Sequence, residues 1–236
     1  MRPRALLVVL LLAALLPAQI ALAAKAYRGA RFVGLAGAGV VVMPEEVQLY
    51  ELTAGRTLEP QAEWTQSARV AIDGVLLDEL KGMGIPAGRY RGPGDDPARQ
   101  RLHRQLGLLH GVVARTIQAN YLEEKNRLPS MGDRFDWSLG PDAAALAEDG
   151  AGFALWTMFG DAYSSGGRQA MNVMVAIFGG TMVYGRQVAM ASLVDLRTGD
   201  VVWFARRSVS GGGAADLRTP EGARHAVRDL LEDLRR

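Results

Sequence analysis

Apolar residues along this chain change their rhythm several times, and each change predicts an element. Three stretches keep helical spacing. The first sets Trp64, Ala68, Ala71, Ile72, Val75, Leu76 and Leu80 on one face. Pro60 suits its first turn, and Gly82, Gly84 and Pro86 end it. The second follows an Asp96-Pro97 cap and carries Leu102, Leu106, Leu109, Val113, Ile117 and Tyr121 to about Glu124. The third opens at Thr219-Pro220, with Glu221 near its positive end and Ala223, Val227, Leu230, Leu231 and Leu234 inward. A shorter helix, Pro141 to Ala147, takes Ser138 as cap and Gly150 as stop.

Other stretches read as strands. Val40 to Met43 and Phe153 to Phe159 are continuous apolar runs, the pattern of strands buried on both faces. Val47 to Leu52 alternates, as a half-exposed strand does. Ile85 to Tyr90 is a short strand inside the Gly/Pro-rich stretch near 82–97. Val183 to Val194 and Val201 to Arg206 flank Asp195-Leu196-Arg197-Thr198-Gly199-Asp200, a β-hairpin. Lys25 to Gly39 reads as an irregular lead-in, Asn126 to Ser138 and Gly160 to Arg168 as loops, and Ser208 to Ala215 as a Gly-rich loop. Strands mixed with helices predict one α/β domain, a mixed sheet packed with helices.

The first residues follow a different rule. Arg2 and Arg4 precede an apolar run from Ala5 to Leu16, and Ala21-Leu22-Ala23 supplies an Ala-x-Ala site. That is a secretory signal peptide over 1–23, with cleavage at Ala23/Ala24. The run is shorter than the roughly 20 residues that span a bilayer. The domain is therefore 24–236, placed in the periplasm or outside the cell.

Composition narrows the partners. The chain has 27 Lys+Arg against 25 Asp+Glu. Arg2 and Arg4 leave with the leader and no acid does, so the remainder is formally neutral. A nucleic-acid binder needs a basic surplus, and none is visible. There is no cysteine. Disulfides, zinc-thiolate sites, a thiolate nucleophile and a lipid-bearing cysteine are excluded.

Gly150 to Tyr163 (GAGFALWTMFGDAY), the hairpin Ala191 to Val209 and the closing helix occur here in one order. With the strand Val40 to Met43 they resemble the cell-envelope superfamily that includes CsgG, the amino-terminal domain of TolB, and LpoB. The Val-Asp-x-x-Thr-Gly-x-Val-x-Trp hairpin from Val194 to Trp203 carries most of the likeness. The resemblance implies a CsgG/TolB-like α/β fold and a role by binding, in channels or against envelope proteins. It brings no catalytic residues. CsgG and LpoB are lipoproteins, whereas this chain has no cysteine to lipidate. The stretch between the first helix and Ser138 is also longer and richer in helix than the resemblance implies.

Candidate chemistry is sparse. Ala170 to Tyr184 is apolar and Met-rich, a pattern of adaptable contact surfaces as well as of buried cores. Its Met171, Met174, Ile177, Phe178, Met182 and Tyr184, with Arg197 at the hairpin tip and Trp203, form the candidate interface. Trp203 reads first as core. His103 and His110 lie two helical turns, about 10.5 Å, apart and cannot share one metal unaided. Glu45-Glu46 and Asp95-Asp96 make no natural catalytic pair. Gly-x-Ser-x-Gly is absent. No catalytic, cofactor or metal residue is assigned. The expected function is a non-catalytic envelope module contacting itself or another envelope protein, with membrane contact open. The alternatives are a secretion-channel-like subunit and a serine hydrolase using a Gly/Ser loop with His225.

Overall fold

A computed structural model describes residues 21–30, 32, 34–35, 37–53, 57–122, 128–132, 134–164, 186–210 and 215–235. The helices are α1 (Ala62–Gly82), α2 (Pro97–Leu122) and α3 (Pro220–Leu230), with a 3-10 turn at Pro141–Leu146. One mixed sheet holds β1 (Ala21–Arg28), β2 (Gly39–Val42), β3 (Glu46–Leu52), β4 (Leu58–Pro60), β5 (Ala87–Arg89), β6 (Ala151–Ser164), β7 (Arg186–Asp195) and β8 (Val201–Ser210). The fold is α/β, as expected.

The longest strand, β6, organises the sheet. Along one edge Phe153 to Gly160 pair antiparallel with β7. Its other edge serves two strands in turn: β2 lies parallel beside Phe153 to Leu155, then β3 beside Met158 to Ser164. Pro44 falls between them and has no N–H to give a ladder. Beyond β7 lie β8 and then β1, both antiparallel.

Alternation along the strands puts a core on each face. Val40, Val42, Leu155, Phe159, Leu193 and Trp203 pack against α1 and α3. Val41, Ala154, Met190, Val194 and Phe204 pack against α2 and the 3-10 turn. Continuous apolar runs are what a sheet covered on both faces requires.

Several boundaries move. Lys25 to Arg28 are strand, held by β8 from Lys25↔Arg206 to Arg28↔Trp203. The register shift in β1 lies between Leu22 and Lys25, across the predicted cleavage point. Pro60 ends β4, and Gln61 is the residue that precedes α1. Ser138 does not cap the 3-10 turn; Gly140 stands there, and the Ser138 hydroxyl accepts from its N–H at 3.0 Å. Gly160 to Ser164 continue β6 rather than looping, because β3 pairs them. Ser208 to Ser210 likewise stay in β8.

At the hairpin tip Gly199 has φ 79°. A Cβ there would also sit 1.9 Å from the Gly140 carbonyl oxygen, so only glycine fits. Thr219 caps α3 as expected, accepting from Gly222 N–H at 3.1 Å. Thr219→Ala is expected to cost about 1 kcal/mol in chemical denaturation, with Thr219→Ser near wild type.

Candidate functional site

Where α2 crosses the sheet it leaves a cleft of about 280 Å³. The floor is Trp156 and Met158 of β6, Met190 and Ser192 of β7, and Phe204 of β8; the wall is α2 from His103 to Arg115. Period-two spacing along β6 and β7 brings these residues to one face. Glu46 and Pro44, where the β2–β3 line breaks, form part of the rim.

The most constrained group in it is His110. Its ring stacks on Trp156 at 4.5 Å between centroids and 13° between planes. Its Nε2 lies 2.6 Å from the Ser192 hydroxyl. Burial lowers its pKa from 6.5 to about 4, so the imidazole is neutral at neutral pH. No carboxylate among the described residues hydrogen-bonds it. His103 stacks on Tyr90 instead, at 5.1 Å, so the two histidines serve separate aromatic partners. Two glycines, Gly107 and Gly111, lie on the cleft wall. On the solvent side next to them α2 exposes Leu108, Leu109 and Val112.

A second polar cluster closes the far end of β6. Asp161 is buried and accepts from Gln187 Nε2 at 2.9 Å and from Ala162 N–H at 2.7 Å. Burial raises its pKa from 3.8 to about 6. The Tyr163 hydroxyl accepts from Leu217 N–H at 3.0 Å, and burial pushes its pKa up. The Arg218 guanidinium lies over Tyr163 at 4.2 Å and over Trp64 at 4.8 Å, and bonds Asp216 with two nitrogens. This cluster ties α1 and β6 to the segment that leads into α3.

The sequence-predicted residues are not gathered in one place. Met171, Met174, Ile177, Phe178, Met182 and Tyr184 lie outside the described residues. Arg197 is exposed at the hairpin tip beside Asp195. Trp203 is fully buried in the α1–α3 core, its indole N–H donating to Asp233 at 3.0 Å. His225 is an exposed residue of α3 beside Asp229 at 3.3 Å. The histidine that touches a serine is His110, which the sequence offers only as one of two histidines unable to share a metal. Its partners Trp156 and Ser192 are neighbours only through the β6–β7 register. Asp161 falls in the predicted loop from Gly160 but is strand; a carboxylate that follows a continuous apolar run is the available signal. Among the described residues no group of three or more His, Asp or Glu could hold a metal ion. No described helix is long and apolar enough to cross a membrane.

Among solved structures the chain is similar to a PelC dodecamer from Paraburkholderia phytofirmans at 14% identity. That match covers 90% of this chain and 96% of that one, with a TM-score of 0.38. It is also similar to the LpoB C-terminal domain from Salmonella enterica at 12% identity, covering 77% of this chain and 87% of that one, with a TM-score of 0.28. No family model matches the chain, and no curated protein matches it.

Proposed function

We propose that this chain is a non-catalytic binding or assembly module of the cell envelope, exported by a leader cleaved at Ala23/Ala24. The observation that carries the reading is the character of the α2 cleft. Its surroundings are largely apolar, and its histidine–serine contact holds a neutral imidazole stacked on Trp156, with no carboxylate among the described residues to orient it. Nucleophilic catalysis needs a base that gains a proton near working pH and a group that orients it. His110 offers neither, so the arrangement suits holding a partner better than turning over a substrate.

The contacts proposed for assembly are the Ala170 to Tyr184 segment and Arg197 at the hairpin tip, engaging a second copy or another envelope protein. The segment joins β6 to β7 and is rich in Met, the most adaptable of the apolar side chains. With no cysteine, no lipid anchor of the lipoprotein type is attached.

The test is the mass of the exported protein by light scattering, with and without mild detergent. Met174→Asp and Ile177→Asp are expected to abolish assembly while circular dichroism and the thermal midpoint stay at wild type. Unfolding by either change would place the segment in the core and end its role as a seam. A detergent-dependent ring would favour the channel-like alternative.

A further inference from the structure

We infer that the α2 cleft and the ridge beside it form a docking groove for an acidic protein segment that inserts one bulky apolar side chain. The inference rests on the binding reading above and names the partner's chemistry.

The first ground is a cost the fold incurs without return. Gly107 and Gly111 sit in the interior of α2, where each glycine is about 1 kcal/mol worse than alanine. Neither takes a positive φ, and a Cβ on either would meet nothing within 4 Å. Packing and backbone geometry therefore leave both positions open to larger residues. What the glycines do is keep the cleft wall bare, so that something outside can approach the helix backbone and reach Trp156.

The second ground is the ridge. Leu108 is 75% exposed and Val112 is 62% exposed, one turn apart, with Leu109 beside them. Helical spacing sets this strip directly next to the two glycines, on the side away from the core. An apolar strip on the outer face of a packed helix is the mark of a partner.

The third ground is charge. Between Pro97 and Leu122 the chain carries Arg99, Arg101, Arg104 and Arg115 and no acid, although the domain as a whole is balanced. Arg101 and Arg104 are exposed along the ridge, and Glu46 is the acid on the cleft rim. Complementarity then calls for carboxylates flanking the inserted group.

Size and shape select the rest. A cavity of about 280 Å³ is just below the roughly 300–1,000 Å³ of small-molecule sites and suits one large side chain. The stacked His110–Trp156 pair and the lining methionines Met43, Met158 and Met190 favour an aromatic one. A lipid surface would meet the arginines equally well, but it is flat and would leave the cleft empty, so the observations favour protein.

The test titrates the exported protein with fluorescent twelve-residue peptides in which glutamates flank a central Trp. Controls replace the Trp by Ala or the glutamates by Lys. The Trp peptide is expected to bind about tenfold or more tighter than the Ala peptide, the Lys peptide not to bind, and salt to weaken the complex severalfold. Gly111→Leu should fill the cleft and abolish binding while its thermal midpoint holds or rises. Arg101→Glu with Arg104→Glu should invert the charge preference. Equal affinity for the Trp and Ala peptides overturns the proposal, as does undiminished binding by Gly111→Leu. It also falls if the peptides fail while phosphatidylglycerol–phosphatidylethanolamine vesicles bind and Leu108→Asp releases them, which makes α2 a lipid face. A wild-type dimer dissociated by Leu108→Asp, with no peptide bound, makes a second copy the occupant. These results are independent of assembly through Ala170 to Tyr184, so either idea can fail alone.

Discussion

Trp203→Ala is expected to remove about 3–5 kcal/mol of stability, a large share of the roughly 5–15 kcal/mol that holds a domain folded. Trp203 is fully buried between the sheet and α3, among the largest of the completely enclosed side chains. Its indole N–H donates to Asp233 at 3.0 Å. The same carboxylate accepts from Arg28 Nε at 2.9 Å, and Arg28 is the register partner of Trp203 on β1. One side chain thus joins the first strand, the last strand and the C-terminal turn. Truncation leaves a cavity and an Asp233 short of one donor. Trp203→Phe keeps most of the volume and loses only the hydrogen bond, so it should cost about 1–2 kcal/mol. Urea titration of both variants decides the matter. A Trp203→Ala loss under about 0.5 kcal/mol would mean a surface contact, as an interface role on the monomer surface requires.

The second large effect concerns pH and is concealed in the wild type. His110 has its pKa lowered from 6.5 to about 4. Below 6.5 the unfolded chain takes a proton that the fold refuses, so this group's stability is complete above that value. It is lost as pH falls toward 4, by about 3 kcal/mol. Asp161 runs the other way, from 3.8 up to about 6. Its contribution is complete below 3.8 and is lost as pH rises toward 6, again by about 3 kcal/mol. Over the shared window the two nearly cancel. Asp161→Asn removes the neutral-pH penalty and leaves the His110 slope, so that variant should weaken steeply from pH 6.5 to 4. His110→Phe should do the reverse and gain relative stability in acid. Urea midpoints at pH 4, 5, 6 and 7 test this; profiles parallel to wild type would refute it.

Much of the fold can be read from the residues, for reasons the structure makes plain. The hairpin, α1, α2 and the Thr219 cap each rest on contacts near in sequence. The continuous runs at Val40 to Met43 and Phe153 to Phe159 announce a sheet covered on both faces. What escapes is set by distant pairing. β1 is rich in alanine, with no strand pattern of its own, and is a strand because β8 offers it an edge. Gly160-Asp161 look like loop and are strand because β3 lies beside them. The cleft is harder still: His110 gains meaning only from Trp156 and Ser192, which the β6–β7 register delivers. The glycines of α2 were visible throughout, but their openness emerges only when nothing is found beside them.

The pairing of β1 with β8, and of β2 and β3 with β6, also sets the order of events during synthesis. Tyr27 must find Phe204, and Val41 must find Ala154. A chain made amino terminus first delivers β1, β2 and β3 well before either partner. Contacts so far apart make folding slow, since the loop must close before any bond rewards it. During that wait three strand edges stand open to stray pairing. The domain is therefore most vulnerable while being made, and a holding factor would matter most in the interval before β6 arrives.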